Sequence, residues 1–212
     1  MTPARPGLLF VVSAPSGAGK TSLVAALLAQ LTGITVCISH TTRPPRSKEI
    51  DGVNYHFIDR DTFESLIKRG AFLEYANVFG NYYGTSIDAV HAALDSGQDL
   101  ILEIDWQGAA QIRQLLPAAL SIFILPPDLA TLEQRLRARG QDDDTVIHSR
   151  LSKAVEEMSH WSEFDFLVVN DDFARAAMDM VSIVRSERLR RIPQQSVLAG
   201  QLAALLDSPS DP

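Results

Sequence analysis

Residues 14–21 combine small residues with one lysine and one hydroxyl, in the order Ala-Pro-Ser-Gly-Ala-Gly-Lys-Thr. A loop of small residues can turn its backbone N–H groups toward a polyphosphate, and Gly17 and Gly19 permit such a turn. Lys20 then reaches the outer phosphates, and the Thr21 hydroxyl supplies an oxygen ligand for Mg²⁺. The pattern predicts a phosphate-binding loop.

The segments on both sides of this loop fit that interpretation. An apolar run at 8–13 is typical of a buried strand, and residues 22–28 favour a helix, so strand, loop and helix follow in the expected order. Ala14 stands where the full pattern has glycine. Alanine restricts the backbone but adds only one methyl group, so the motif is weakened and not lost.

A second group of basic and aromatic residues lies at 39–46 and 80–85. Arg43 and Arg46 flank two prolines, and two guanidinium groups on a stiff loop suit a phosphate dianion. Solvated surface arginines in a turn explain this motif equally well when it is taken alone. The two tyrosines at 82 and 83 lie between glycines, where their hydroxyls can donate to phosphate or their rings can simply pack.

The composition excludes several classes of protein. A chain of 212 residues is long enough for one domain with a full core, and its net charge of −7 argues against a nucleic-acid partner. The one cysteine, Cys37, excludes an intramolecular disulfide and is expected to be a small buried side chain. No zinc-site spacing, secretion signal or membrane-spanning run is evident, so we expect a cytoplasmic protein.

Short apolar runs alternate with helical patterns along the chain. The runs at 8–12, 100–104, 121–125 and 166–169 are typical of buried parallel strands. This alternation predicts an α/β fold with a parallel sheet core and helices on both faces. The segment at about 34–85 breaks the rhythm with short alternating pieces. It predicts a small mixed sheet inserted after the first helix, overhanging the phosphate loop where a second substrate can bind.

Capping residues mark the predicted helices. Asp61 and Glu64 fit a capping box that opens a helix ending at Gly70. Two further helices are predicted from Ser86 to Gly97 and from Asp128 to Gly140. Residues 196–206 carry a rough apolar stripe that predicts a helix packed on the core or on another subunit, so a homo-oligomer is an open alternative.

Taken together, the motifs resemble those of guanylate kinases of the bacterial single-domain type. Five stretches carry the resemblance, in the family's order and over almost the whole chain: 13–21, 41–46, 80–84, 103–108 and 168–172. The resemblance implies the P-loop nucleoside monophosphate kinase fold and transfer of phosphate from ATP to GMP with Mg²⁺. It also implies one domain over 1–212, divided into a core (about 1–33, 86–125 and 160–190), a GMP-binding insertion (about 34–85), a helical lid (about 128–159) and a C-terminal helix and tail (about 191–212).

The resemblance implies how the acceptor is recognised. A fixed carboxylate can read the N1 and N2 donors of guanine, which adenine lacks at that edge, and the family's residue for this task matches Glu74. Further guanine contacts match Ser39, Thr85 and Asp105, and Gly84 belongs to the same set. Taken alone, Glu74 is better explained as a surface acid at a strand edge. The ligands of the GMP phosphate match Arg43, Arg46, Tyr55 and Tyr83, with Glu49 in support.

The resemblance likewise implies a donor site for ATP, formed by Ala14, Pro15, Ser16, Gly17, Ala18, Gly19, Lys20, Thr21 and Ser22, with Asn170 near the base. Catalytic charge would come from Lys20, Arg43 and three lid arginines, Arg135, Arg139 and Arg150. Alone, a charged helix is more often just solvated. Glu103 lies close to where Mg²⁺ should bind and can hold it through water, and it also counts among the GMP contacts.

Two rival functions stay open at this point. One is a kinase on the same scaffold with a different nucleotide or a sugar as acceptor. The other is a protein-interaction module, because guanylate-kinase-like domains of that type exist with impaired nucleotide sites. An intact phosphate loop, with Lys20 and Thr21 present, argues against the module. No catalytic base is expected, since the acceptor is already an anionic oxygen and the five histidines are scattered.

Overall fold

The computed structural model describes residues 5–78, 80–138 and 144–207. Nine strands occur in these residues: β1 (Leu9–Ser13), β2 (Ile34–Val36), β3 (His40–Thr41), β4 (His56–Phe57), β5 (Phe72–Val78), β6 (Asn81–Ser86), β7 (Asp99–Glu103), β8 (Leu120–Leu125) and β9 (Phe166–Val169). The helices are α1 (Lys20–Leu28), α2 (Arg60–Lys68), α3 (Ile87–Asp95), α4 (Trp106–Leu115), α5 (Leu129–Ala138), α6 (Asp144–Ser159), α7 (Phe173–Arg188), α8 (Arg191–Val197) and α9 (Ala199–Leu206).

Five strands form a parallel sheet in the order β2-β7-β1-β8-β9. The central strand β1 is buried along its whole length, as expected for a parallel sheet covered on both faces. Phe10 and Val12 pack toward α1 and α7, whereas Leu9 and Val11 pack toward α3 and α4. Because side chains alternate between the faces of a strand, this run supports two separate core layers. The predicted α/β architecture is confirmed.

The segment after β2 forms a second, four-stranded sheet in the order β4-β3-β6-β5. β3 pairs with β4 in parallel and with β6 antiparallel, so the sheet is mixed, as predicted. Phe63 of α2 stacks on Phe72 and on Tyr82, and these contacts hold the helix against the sheet. One boundary was wrong: β2 pairs with β7 in the parallel sheet, although its residues were assigned to the insertion. With only three residues, β2 forms a short strand at the edge of the parallel sheet.

Helix starts follow the capping rule, with one correction. Ser86 caps α3 as predicted, accepting from the N–H of Ala89, and Gly97 follows that helix with a positive φ of 81°. The capping box predicted at Asp61 and Glu64 is wrong. Asp59 caps α2 instead, because its carboxylate accepts from the Thr62 N–H at 2.7 Å and from the Thr62 hydroxyl. The predicted end of α5 at Gly140 lies outside the described residues.

The lid predicted at 128–159 contains α5 and α6, which pack on each other through Leu132, Leu136 and Ala154. At the end of α6 the ring of His160 stacks on Trp106, the first residue of α4, with ring centroids 3.6 Å apart and planes within 9° of parallel. Glu163 accepts a hydrogen bond from Arg113 of α4 through Oε2, and its Oε1 lies at hydrogen-bond distance from His160 Nδ1. These contacts join the segment that follows α6 to α4.

Asp99 joins three parts of the core at the start of β7. Its side chain is fully buried and forms ion pairs with Arg5 and with Arg188, each at 2.7 Å. It also accepts from the Leu8 N–H. Arg188 ends α7 and reaches the Thr32 carbonyl as well. One carboxylate thus links the N-terminal segment, the sheet and the last helix of the core.

The C-terminal stretch predicted as one helix forms two, α8 and α9, separated at Leu198. The apolar stripe of α9 does not pack on the core, since Leu205 and Leu206 are 71% and 78% exposed. In the described residues, no helix has the length and apolar character needed to cross a bilayer.

Candidate active site

The loop at 14–21 joins β1 to α1 in the arrangement predicted for phosphate binding. Gly17 and Gly19 have φ values of 95° and 99°, a backbone region open to glycine and strained for other residues. Gly19 occupies the N-cap of α1 without a side-chain cap, so the helix dipole and its first N–H groups face the loop. This is a backbone anion site at a helix N-terminus.

Lys20 lies in the interior of this site. Its ammonium donates to the Ile104 carbonyl at 3.3 Å. Burial lowers the pKa of Lys20, while the nearby carboxylates of Glu103, Asp105 and Glu157 work against that effect. A half-buried cation among acidic groups is a natural counterion for the phosphates of a nucleotide.

Thr21 and Glu103 meet beside the loop. The Thr21 hydroxyl donates to Glu103 Oε2 at 3.0 Å, so two oxygen ligands from different elements converge there. Mg²⁺ in nucleotide sites usually binds one or two protein oxygens together with substrate phosphates. The described part of the chain holds no group of three or more His, Cys, Asp or Glu that could hold a metal ion.

Asn170 and Arg135 support the loop from behind. The Asn170 amide donates to the Ala18 carbonyl at 2.7 Å, and a side chain at Gly19 would collide with that amide. Arg135 of α5 donates to the Asn170 carbonyl oxygen at 2.9 Å. The structure therefore places Asn170 against the loop backbone, and Arg135 contacts Asn170 rather than the loop. Arg139, the second predicted arginine of this helix, lies outside the described residues.

Glu157 of α6 is a site residue that the sequence analysis missed. Its Oε2 accepts from the Ser16 N–H at 3.3 Å, so a carboxylate of α6 touches the loop at 14–21. Burial raises the pKa of Glu157, and the Ser16 N–H opposes that shift. Two adjacent glutamates on a helix are ordinary in sequence, and their spacing alone carries no signal of this contact.

A cleft of about 500 Å³ extends from the loop to the inserted sheet. The predicted site residues that line it are spread over positions 16–150: Ser16, Lys20, Ser39, Arg43, Arg46, Tyr55, Glu74, Tyr83, Glu103, Asp105 and Arg150. Ala76, Val78, Asn81, Ile104, Val146 and Ser149 complete the wall and were not predicted. Eight of the eleven residues predicted for GMP line this cleft, whereas of the ten predicted for ATP only Ser16 and Lys20 do.

Three polar side chains form a buried row at the inserted-sheet end of the cleft. The Thr85 hydroxyl donates to Glu74 Oε1 at 2.5 Å, and Ser39 Oγ lies 3.4 Å from Thr85 Oγ1. Thr85 is directly opposite Glu74 in the β5–β6 pair, next to a register shift between Phe72 and Glu74. Such a bulge redirects the side chains that follow it. Burial raises the pKa of Glu74 to about 7.

Gly84, predicted among the acceptor contacts, is buried beside this row. A side chain there would meet Phe63 and Phe72 at 2.9 and 3.1 Å. Gly84 therefore packs against aromatic side chains of α2 and β5, and it can contact a ligand only through its backbone.

Asp105 is held rigidly at the start of α4. Its Oδ1 accepts from the Gly108 N–H at 2.9 Å as the N-cap of that helix, and its Oδ2 accepts from the Gln107 amide. The capping contact fixes a second carboxylate on the wall of the cleft.

Arg43 stands at the centre of the basic cluster. It donates to Glu49 at 2.8 Å and to the Tyr83 hydroxyl at 3.3 Å, and its guanidinium lies 5.6 Å from the Tyr55 ring centroid. Glu49 also accepts from the Arg46 N–H at 2.7 Å. Burial acts to raise the pKa of Glu49, but these donors outweigh it and hold that pKa below its usual value. The acid thus keeps the arginine loop in one conformation.

Comparison with known proteins gives a consistent result. The family model described as guanylate kinase matches residues 7–187. The guanylate kinase of Alkalilimnicola ehrlichii is 58% identical over 201 residues, covering 95% of this chain and 99% of that protein. The guanylate kinase of Alcanivorax borkumensis is also 58% identical, over 94% and 97% of the two chains. A crystal structure of guanylate kinase from Anaplasma phagocytophilum superposes with a TM-score of 0.78 at 31% identity, covering 98% of both chains.

Proposed function

The chain belongs to the guanylate kinase family, and from that premise we propose how its residues divide the work of the reaction. Guanylate kinases transfer phosphate from ATP to GMP, giving ADP and GDP, and this chain is an enzyme of that kind. The observation that carries the assignment of roles is that Lys20 of the phosphate loop and Glu74 of the inserted sheet line the same cleft. Donor and acceptor can therefore meet in one space.

Glu74 is proposed to read the guanine base. As a carboxylate it accepts from the N1 and N2 donors of guanine, and Ser39 and Thr85 offer hydroxyls to the rest of that edge. Asp105 is proposed as a further acceptor for N2, held by its capping contact with Gly108. Adenine offers no donor at N1, so its binding would leave a buried carboxylate unpaired. The cost of leaving that carboxylate unpaired supports strong selection for guanine over adenine. Because dGMP carries the same base, we expect it to be a second substrate.

Arg43, Arg46, Tyr55 and Tyr83 are proposed to bind the phosphate of GMP. Arg43 already contacts Tyr83 and lies against Tyr55, so these groups converge before any ligand binds. Glu49 restrains Arg43 and thereby lowers the entropy lost on binding.

The backbone of residues 14–22 is proposed to hold the outer phosphates of ATP, with Lys20 as their counterion. Arg135 and Arg150 are proposed to reach the migrating phosphoryl group when the lid closes, and Arg135 would then exchange its bond to the Asn170 carbonyl. The same role is proposed for Arg139. Asn170 is proposed to lie near the ATP base while its amide fixes the loop.

Thr21 and Glu103 are proposed to hold Mg²⁺, since their side-chain oxygens already lie 3.0 Å apart beside the loop. A bound Mg²⁺ would supply positive charge against the negative charge of the nucleotide phosphates. The chain's own task is to align the acceptor oxygen with the donor phosphorus and to exclude water. No residue needs to remove a proton, because the GMP phosphate is already an anion. We also propose that the enzyme works in the cytoplasm, with ATP and GMP as its partners.

The test of acceptor choice measures ADP formation with Mg²⁺, ATP and one acceptor at a time: GMP, dGMP, AMP, CMP or UMP. Turnover with only the guanine nucleotides is expected from Glu74 and its neighbours. Faster turnover with another acceptor would overturn the Glu74 assignment and leave the phosphate loop assignment standing.

The test of the donor site is Lys20→Ala. Loss of the counterion should lower kcat by about a thousandfold or more, since charge stabilisation of the migrating group is a dominant effect. Lys68→Ala, at an exposed position near the end of α2, is the matched control and should leave kcat unchanged. Retained turnover in Lys20→Ala would contradict the proposed role.

A further inference from the structure

Gly108 lies in the first turn of α4, packed against the side chain of Glu74. A Cβ at Gly108 would lie 2.5 Å from Glu74 Oε2 and 3.1 Å from Glu74 Cδ. Both separations are far inside van der Waals contact, so a side chain at 108 and this position of the carboxylate exclude each other. Glycine is a poor helix former, and its presence in this helix therefore needs another reason.

The neighbouring contacts do not supply that reason. Gly108 donates its N–H to Asp105, but any residue other than proline has that N–H. The same Cβ would approach Ile104 Cδ1 at 3.3 Å, which is the far end of a side chain that can rotate away. The conflict with Glu74 is the one that a small adjustment does not relieve.

The Glu74 carboxylate is held in this position by its partners, so moving it aside breaks a hydrogen bond. Its Oε1 accepts from Thr85 at 2.5 Å, and its backbone is paired with β6. One turn along α4, the Gln111 amide donates to the Tyr75 carbonyl at 2.8 Å and accepts from the Tyr75 N–H at 3.2 Å. This clamp on the outer edge of β5 holds the strand close to the helix, directly beside Glu74.

We infer that Gly108 determines acceptor specificity as a positioning residue: its missing side chain leaves the space in which the Glu74 carboxylate is held for guanine. The inference rests on the proposed role of Glu74 as the base reader. A methyl group at 108 displaces the carboxylate from the acceptor pocket and leaves the phosphate loop untouched. The effect is therefore expected in GMP recognition and not in ATP binding.

The experiment compares four proteins: the parent, Gly108→Ala, Glu74→Ala and the double variant. For each, KM for GMP, KM for ATP and the ratio of kcat/KM for GMP to that for AMP are measured, together with the thermal midpoint. Gly200→Ala is the matched control, because Gly200 lies in helix α9 and a Cβ there meets nothing within 4 Å.

Gly108→Ala should raise KM for GMP about tenfold or more and lower the GMP-to-AMP ratio to a similar extent, with KM for ATP within about twofold of the parent. In the Glu74→Ala background the same substitution should add no more than about a twofold change, because the carboxylate it displaces is gone. Gly200→Ala should match the parent in both KM values and in the GMP-to-AMP ratio. If Gly108→Ala does not fold and the double variant does, the steric conflict with Glu74 is supported directly.

Three results would overturn the inference: parent-like kinetics in Gly108→Ala, an equal rise in KM for both nucleotides, or an undiminished effect in the Glu74→Ala background. Failure of both 108 variants to fold would also overturn it, since the methyl group would then collide with something other than Glu74. If Glu74→Ala itself binds GMP normally, the base-reader assignment fails and the inference fails with it. If Gly108→Ala has parent-like kinetics and Glu74→Ala loses GMP recognition, the inference about Gly108 fails and the assignment of Glu74 stands.

Discussion

Asp99 at the start of β7 and Glu74 in β5 are carboxylates almost fully removed from water, with exposures of 0% and 2%, and their charges are balanced in different ways. Asp99 pairs with two arginines and a backbone N–H. Glu74 accepts from the neutral hydroxyl of Thr85. One acid is matched by cations of its own chain, whereas the hydrogen bonds to the other come from the neutral residue Thr85.

The pKa values move in opposite directions for that reason. Burial acts to raise the pKa of both acids. At Asp99 the bonds from Arg5, Leu8 and Arg188 outweigh burial and hold the pKa below its usual value. At Glu74 burial prevails and raises the pKa to about 7. A buried acid that is paired with cations of its own chain, as Asp99 is, links parts of the fold. A buried acid without such a cation among the described residues, as Glu74 is, can accept hydrogen bonds from a bound ligand.

The largest expected effect is on stability, at Asp99. Asp99→Ala leaves Arg5, Arg188 and the Leu8 N–H without their shared acceptor, and should lower the free energy of unfolding by about 3–5 kcal/mol. KM for GMP and ATP should not change. Denaturant unfolding and steady-state kinetics measure the two properties separately.

The control for this prediction is Asp95→Ala, an exposed acid at the end of α3, which should leave the free energy of unfolding nearly unchanged. The loss at Asp99 should also shrink in acid. A carboxylate with a lowered pKa contributes stability above its unfolded value of 3.8 and loses that contribution as the pH falls through the folded pKa. A loss that persists unchanged at low pH would contradict the ion-pair explanation.

The second prediction concerns Glu74→Gln, which keeps the shape and removes the charge. At pH 8 we expect kcat/KM for GMP to fall about a hundredfold, because an amide accepts poorly and presents donors to the N1 and N2 donors of guanine. The difference from the parent should narrow below a pH of about 7, where the parent carboxyl takes up a proton. A difference that is constant from pH 6 to 8 would argue against titration of Glu74.

Stability provides an independent check on the same group. An acid whose folded pKa is raised favours the native state in its protonated form, so its contribution falls as the pH rises from about 4.5 to about 7. The parent should therefore lose stability relative to Glu74→Gln across that interval and change little above it. Thermal midpoints of both proteins at several pH values measure this difference.

The smallest effect is expected at Glu49, which resembles Asp99 in its ion pair and Glu74 in its position in the proposed binding site. It pairs with Arg43 as Asp99 pairs with its arginines, but it lies within the proposed phosphate site. Glu49→Gln should raise KM for GMP about five- to tenfold by loosening Arg43, and should change the free energy of unfolding by less than about 1 kcal/mol. Glu64→Gln, which breaks the exposed pair with Arg60, is the control and should not affect KM.

The sequence predicted the parallel sheet and the phosphate loop because both depend on local patterns. The apolar runs match β1, β7, β8 and β9 to within one residue at each end. The mixed sheet was also evident from its alternating pieces. The edge strand β2 was assigned to the wrong sheet because only three residues pair, and that pairing is made with β7, distant in sequence.

Contacts between distant segments could not be predicted. Gly108 belongs to a motif that the sequence made visible, but its approach to Glu74 depends on how α4 packs against β5. Glu157 reaches Ser16 across 141 positions of sequence. The position of Arg135 behind the loop likewise follows from the packing of α5, whereas the sequence indicated only its charge and spacing.

The stack of Trp106 on His160 gives the molecule an optical reporter. The chain has two tryptophans, and the other, Trp161, directly follows His160. Both indoles therefore lie where α6 ends, and the one at 106 is in face-to-face contact with an imidazole. Indole emission depends on the rings stacked on it and on its exposure to water. A rotation of α6 that separates the two rings would change the fluorescence of the unlabelled protein, so stopped-flow mixing with nucleotide tests whether α6 moves on binding.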